Sequence, residues 1–106
     1  MEQTMGPAEC HIPKVGNEYI VPPVVVDVSH GQTEVIWETV DLSNFEFWFP
    51  GKSPLAEGNK LMSKGGRCVG HVLPDAEKRK HEYSMHCHGN GHLARGNSSP
   101  PIMIIQ

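Results

Sequence analysis

Tyr83-Ser84-Met85-His86-Cys87-His88-Gly89-Asn90-Gly91-His92 reads as a β-strand running into a Gly-Asn-Gly turn. Strand alternation places Tyr83, Met85 and Cys87 on one face and Ser84, His86 and His88 on the other. The apolar set suits a core, and the imidazoles suit water or a partner. Four metal-capable side chains, His86, Cys87, His88 and His92, fall within seven residues. The turn decides which of them meet. A two-residue turn at Asn90-Gly91 puts His88 opposite Leu93 and His92 on the face of Cys87. A three-residue loop, Gly89-Asn90-Gly91, puts His88 opposite His92, with Cβ atoms about 5 Å apart, close enough to clamp one ion. Either register offers zinc, nickel or copper a pair of donors.

Other stretches carry the same signature. Tyr19-Ile20-Val21 is strand-like and is interrupted by Pro22-Pro23, which cannot donate to a ladder. Val24-Val25-Val26-Asp27-Val28 follows, then a turn at His30-Gly31-Gln32, then Glu34 to Val40. The Gly turn predicts a hairpin or a close neighbour pair there. Phe45-Glu46-Phe47-Trp48-Phe49 puts three aromatic rings on one face, enough to dominate a small core. Cys68 to Leu73 and Ile102 to Ile105 are further strand candidates, with Ile104 expected in the core. Residues 55–66 and 74–80 have room for a helical turn at most, because Gly58, Gly65 and Gly66 forbid anything longer in the first. Residues 1–17 carry Gly and Pro without periodicity and read as a flexible arm. The expected division is therefore an arm over residues 1–17 and one β domain over residues 18–106.

Composition narrows the function classes. One hundred and six residues make one domain with a modest core. Nine Pro and eleven Gly call for many turns between short strands. The net charge is −3, and the only basic cluster, Lys78-Arg79-Lys80, is flanked by Asp75 and Glu77, so no nucleic-acid surface is expected. No apolar stretch approaches the roughly 18 residues of a membrane helix. Three Cys are too few for a disulfide framework, which favours free thiols. The first residues have neither a basic region nor an apolar run, so the expectation is a cytoplasmic protein, or a periplasmic or secreted one if a leader has been removed. No phosphate loop, paired-carboxylate signature or activated nucleophile points to an enzyme.

Short strands with regular turn signals predict an all-β, single-domain antiparallel Greek-key sandwich. From Val24 to Gln106 the order of elements resembles the cupredoxin family, that of plastocyanin and azurin. The resemblance rests on three stretches: Val24 to Trp37 with its Gly31 turn, Tyr83-Ser84-Met85-His86-Cys87, and the closing Pro101-Ile102-Met103-Ile104-Ile105. Cys87-x4-His92 has the family's Cys-to-His spacing. The resemblance implies Cys87 and His92 as copper ligands. A blue-copper site needs a second His and usually an axial Met. The Met position falls on Gly96, and Glu38 to Trp48 holds no His, with Asn44 the nearest polar stand-in. The expectation is a non-enzymatic cupredoxin-like binding domain for a protein or small ligand, without a standard blue-copper site and with no cofactor required. The alternative is a copper or zinc protein using Cys87 and His92 with other histidines, Cys68-x2-His71 and His81 among the candidate donors.

Overall fold

Apolar residues at every second position become strands because only one face of each finds a core. A computed structural model describes residues 6–16, 18–87, 93–96 and 101–106. Its strands are β1 (Ala8–Ile12), β2 (Lys14–Val15), β3 (Glu18–Val21), β4 (Val24–Val26), β5 (Glu34–Thr39), β6 (Phe45–Trp48), β7 (Lys60–Met62), β8 (Arg67–His71), β9 (Lys80–Glu82), β10 (Ser84–Cys87), β11 (Leu93–Gly96) and β12 (Ile102–Ile105). A short 3₁₀ turn covers Val28–His30. The chain is all-β, and among the described residues no helix is long and apolar enough to cross a membrane.

The strands form three sheets, ordered β1-β5-β8, β2-β3-β11-β10-β6-β7 and β4-β12-β9. The second and third sheets share interrupted runs of chain. β3 and β4 flank Pro22-Pro23, β9 and β10 flank Tyr83, and β11 and β12 flank residues 97–101. β11 lies parallel to β3 and antiparallel to β10, and β12 lies parallel to β4 and antiparallel to β9.

Four expectations need correction. The pairing is mixed, not antiparallel: β1–β5, β3–β11 and β4–β12 are parallel. Parallel neighbours require long crossovers, and the excursion through β2, β3 and β4 supplies one between β1 and β5. The arm over residues 1–17 is in part a strand, since β1 buries Ala8, Cys10 and Ile12 against β5. β4 and β5 are not a hairpin; the 3₁₀ turn between them sends them to different sheets. Ile104 is only partly buried, because Met103 and Ile105 take the core face opposite Val24 and Val26.

Five aromatic rings sit at the centre. Trp37 lies 4.6 Å from Phe47, and Phe47 meets Tyr83 edge-on at 5.3 Å, centroid to centroid. Phe45 and Phe49 extend the stack through Phe47 and Tyr83. Trp37 Nε1–H donates to Tyr83 Oη at 3.2 Å, so the buried indole is satisfied. Gly70 lies directly over this indole. A Cβ there would sit 2.9 Å from Trp37 Cζ3 and 3.2 Å from Leu55 Cδ1.

Phe47→Ala should therefore cost about 3–5 kcal/mol in equilibrium denaturation, as for other core aromatic truncations. Trp48, its neighbour on the opposite face, is 50% exposed, and Trp48→Ala should cost far less. Gly70→Ala should destabilise by about 1–3 kcal/mol through overpacking. An unchanged denaturation midpoint for Gly70→Ala would contradict the close approach.

Candidate functional site

β10 runs through the middle of the six-stranded sheet, between β11 and β6. Met85 turns inward and is fully buried, so His86 lies on the outer face, half-buried. Its ladder partners are Glu46 on β6 and Leu93 on β11. Glu46 also pairs with Lys60 at 3.4 Å, and Lys60 Nζ sits 4.9 Å from the centre of the Trp48 ring. His86 thus joins an outer face of interleaved charges and one aromatic ring.

The His86–Leu93 pair differs from both registers expected of the turn, which put His88 or Cys87 opposite Leu93. Asn-Gly is a local preference, whereas β11 is also committed to β3 through Arg95–Ile20 and Gly96–Val21. That second partner constrains its register. Cys87 pairs with Phe45, the first residue of β6, and so marks one end of the sheet. His88 and His92 lie outside the described residues, as does the side chain of Cys87.

The segments beside Cys87 at this end, residues 39–44 and 63–66, are tightly clasped. Asn44 Oδ1 accepts from Gly66 N–H at 2.9 Å and from Ser63 Oγ at 3.1 Å, while Ser63 Oγ accepts from Phe45 N–H at 2.8 Å. Thr39 Oγ1 donates to Ser43 O at 2.8 Å. Leu42 is held at φ 61°, in the left-handed region that a non-Gly residue adopts only at a cost. Gly66 closes against it: a Cβ there would lie 2.3 Å from Leu42 Cα. Tyr19 Oη donates to Asp41 at 2.6 Å, and this bond leads the causes that hold the carboxyl below its ordinary value.

Among the described residues of this end, Asn44 is already committed within the protein. An amide oxygen has two lone pairs, and Asn44 spends both on Gly66 and Ser63. Cys10 and Cys68 are buried. Burial pushes the Cys10 thiol up to about 12, and burial together with the Glu57 charge pushes Cys68 up to about 11. Cys10 Sγ donates weakly to Pro22 O at 3.6 Å. Cys68 and His71 are not brought together: Cys68 faces the core and His71 faces outward. His81 is also buried, with Nε2 on Glu77 O at 2.8 Å. Among the described residues, no group of three His, Cys, Asp or Glu is placed to hold an ion.

One His is instead fixed between two carboxylates. His71 Nδ1 meets Glu57 Oε2 at 2.6 Å, and Nε2 lies 3.4 Å from Glu34 Oε2. The His71 backbone N–H donates to Glu57 Oε1 at 2.9 Å. The side-chain bond to Glu57 leads the causes that raise the His71 pKa. For Glu57, partial burial pulls upward, but the bonds from His71 outweigh it and the carboxyl is lowered. This arrangement ties the 55–58 turn to β8 and β5, and sequence spacing alone gave no sign of it. Near the other edge of this sheet, His11, Ile12, Pro13, Glu38, Thr39, Val40 and Leu42 line a largely apolar groove of about 370 Å³. Val40 and Leu42 stand exposed at its rim.

No family model matches the chain, and no curated protein matches it.

Two outcomes follow from these environments. Cys10 and Cys68 should react with a thiolate-seeking disulfide reagent only after unfolding, because their raised pKa values leave little thiolate at neutral pH. Rapid native-state labelling of either would contradict the burial. The His71–Glu57 clamp should also shape stability against pH. A raised His pKa stabilises fully below the unfolded value, about 6.5, and the gain is lost as pH rises through the folded value. A lowered Glu pKa stabilises above its unfolded value and is lost as pH falls through the folded one. The clamp is therefore strongest in mildly acidic solution. Glu57→Gln should move the His71 titration, followed by NMR, back toward the ordinary value and flatten the stability profile there.

Proposed function

We propose that the chain is a small, non-enzymatic cupredoxin-like domain that binds a protein or small ligand and lacks a standard blue-copper site. The observation that carries this reading is the saturated oxygen of Asn44, in the stretch where the resemblance asks for a His ligand. The strand order lends support: β1 parallel to β5 with β8 beyond it, and β10 between β6 and β11 in the facing sheet. The apolar groove rimmed by Val40 and Leu42 offers a concave surface for a partner. A nucleic acid or a membrane fits these surfaces less well than a protein or small ligand does.

A second reading keeps a metal. Cys87 ends β10 beside the rigid segment of Leu42 and Asn44, and His92 stands at a suitable spacing in the sequence. Cys87 and His92, with other histidines, would then hold copper or zinc.

Copper titration separates the two. The first reading expects added Cu(II) to bind, if at all, through the histidines, without an intense visible thiolate band. Substituting His86 and His88 together should weaken that binding more than Cys87→Ser does. The opposite ranking, with a coloured protein and a reversible redox wave, would favour the electron-transfer reading.

A further inference from the structure

At the other end of β6 from Cys87, the chain opens into a notch. β6 pairs with β10 as far as Trp48–Ser84 and then turns away. Phe49 N–H goes instead to Asn59 O at 2.8 Å, Pro50 has no N–H, and Gly51 adopts φ 109°. Asn59 Nδ2 holds this turn by donating to Phe49 O and Gly51 O. β9 therefore pairs with β12 alone. Ile105 N–H donates to Arg79 O and Tyr83 N–H to Pro101 O, so these two residues flanking β9, and His81 between them, turn their backbone groups to that side. By ladder alternation, the N–H and C=O groups of Lys80 and Glu82 both turn toward the notch, and Arg79 Nη1 donates to Lys80 O at 2.8 Å.

The notch is a pocket of about 320 Å³, at the small end of ligand sites, walled by Phe49, Lys52, Arg79, Lys80, His81 and Glu82 with the turn at Pro50 and Gly51. Glu77 takes up the Arg79 guanidinium, Nε to Oε2, at 2.7 Å. The ammonium groups of Lys52 and Lys80 have no ion-pair or hydrogen-bond partner among the described residues. Two exposed carboxylates lie nearby: Glu82 in the wall, and Glu77, whose pKa is lowered first by the Arg79 bond and in smaller measure by Lys52.

His81 supplies an independent observation. The residue is only 4% exposed. A carbonyl can only accept, so Nε2 carries the proton given to Glu77 O. In the neutral ring Nδ1 is then an acceptor, and it has no protein partner among the described residues. No fully buried side-chain nitrogen or oxygen lacks a partner, so Nδ1 still touches solvent. The two concavities that His81 lines are both bounded by Lys52 and Arg79.

We infer that this notch binds a hydrogen-phosphate group, either as the free ion or on a small monoester. Lys52, Lys80 and the β9 N–H groups donate to its charged oxygens, and its remaining O–H donates to His81 Nδ1. That last contact separates phosphate from sulfate, which carries no proton near neutral pH. The site is independent of the Cys87 end and of the function proposed above.

The test is NMR titration of the full chain at pH 6.5 with inorganic phosphate, glycerol phosphate and sulfate, at ionic strength matched with sodium chloride. Phosphate should shift the amides of Gly51, Lys52 and residues 80–82, and should bind at least severalfold more tightly than sulfate. Lys52→Gln and Lys80→Gln should each weaken phosphate about fivefold, since charge-assisted bonds at a half-exposed site are worth that order. Both substitutions are at exposed positions. Lys64→Gln, an exposed position at the Cys87 end of β6, should change nothing. Tighter binding of the ester would mark a small phosphorylated molecule as the source, and tighter binding of inorganic phosphate the free ion. Shifts reproduced by chloride, sulfate binding as tight as phosphate, or unchanged affinity in both lysine variants would overturn the assignment.

Discussion

The bond from the Trp37 indole to the Tyr83 hydroxyl, with Phe47 wedged beside both rings, is the constraint on which the molecule turns. Trp37 belongs to the three-stranded sheet of β1, β5 and β8, and Phe47 to the six-stranded one. Tyr83 sits where the chain passes from β9 to β10, and so from one sheet to another. A polar tip on a large apolar body lets Tyr83 fill the core and satisfy the indole together. The close seat under Gly70 follows from this, since the ring can move neither toward Tyr83 nor through β8. A Tyr83 hydroxyl held in this environment is pushed upward in pKa, by burial first and then by the Cys10 charge, against the Trp37 bond. It remains a neutral partner for the indole over the ordinary pH range.

With the middle fixed, the regions at the two ends of β6 take different characters. The end at Cys87 is knitted by hydrogen bonds between backbone groups and the side chains of Thr39, Asn44 and Ser63. The end at Lys52 and Lys80 leaves charge uncommitted. Proline explains part of that contrast: Pro50 ends β6 where a continued ladder would have covered β9.

Much of this was legible in the chain. The aromatic alternation of residues 45–49 and the inward set Val35, Trp37 and Thr39 follow from period two alone. The Ala8-Glu9-Cys10-His11-Ile12 alternation is equally present, but the neighbouring Gly and Pro mask it and suggest an arm. In Ile102 to Ile105 every side chain is apolar, and parity cannot be read where both faces look alike; the partners of β12 decide it. The odd spacing of Cys68 and His71 already implied opposite faces once the segment was taken as a strand. The His71 clamp and the Lys52–Lys80 notch join residues distant in sequence, and only the register of paired strands brings them together.

The position of β12 has a consequence for the order of assembly. It is the central strand of its sheet, flanked by β4 and β9, although it is made after both. Its parallel contact with β4 spans almost eighty residues, Met103 against Val24. Closing so large a loop costs entropy before any burial repays it, so the landscape favours slow, late completion. During synthesis, β4 and β9 each wait with an open edge until Ile102–Ile105 has left the ribosome. Pro22-Pro23, just ahead of β4, provides one safeguard, since a strand that begins behind two residues without N–H groups is a poor template for a stray neighbour.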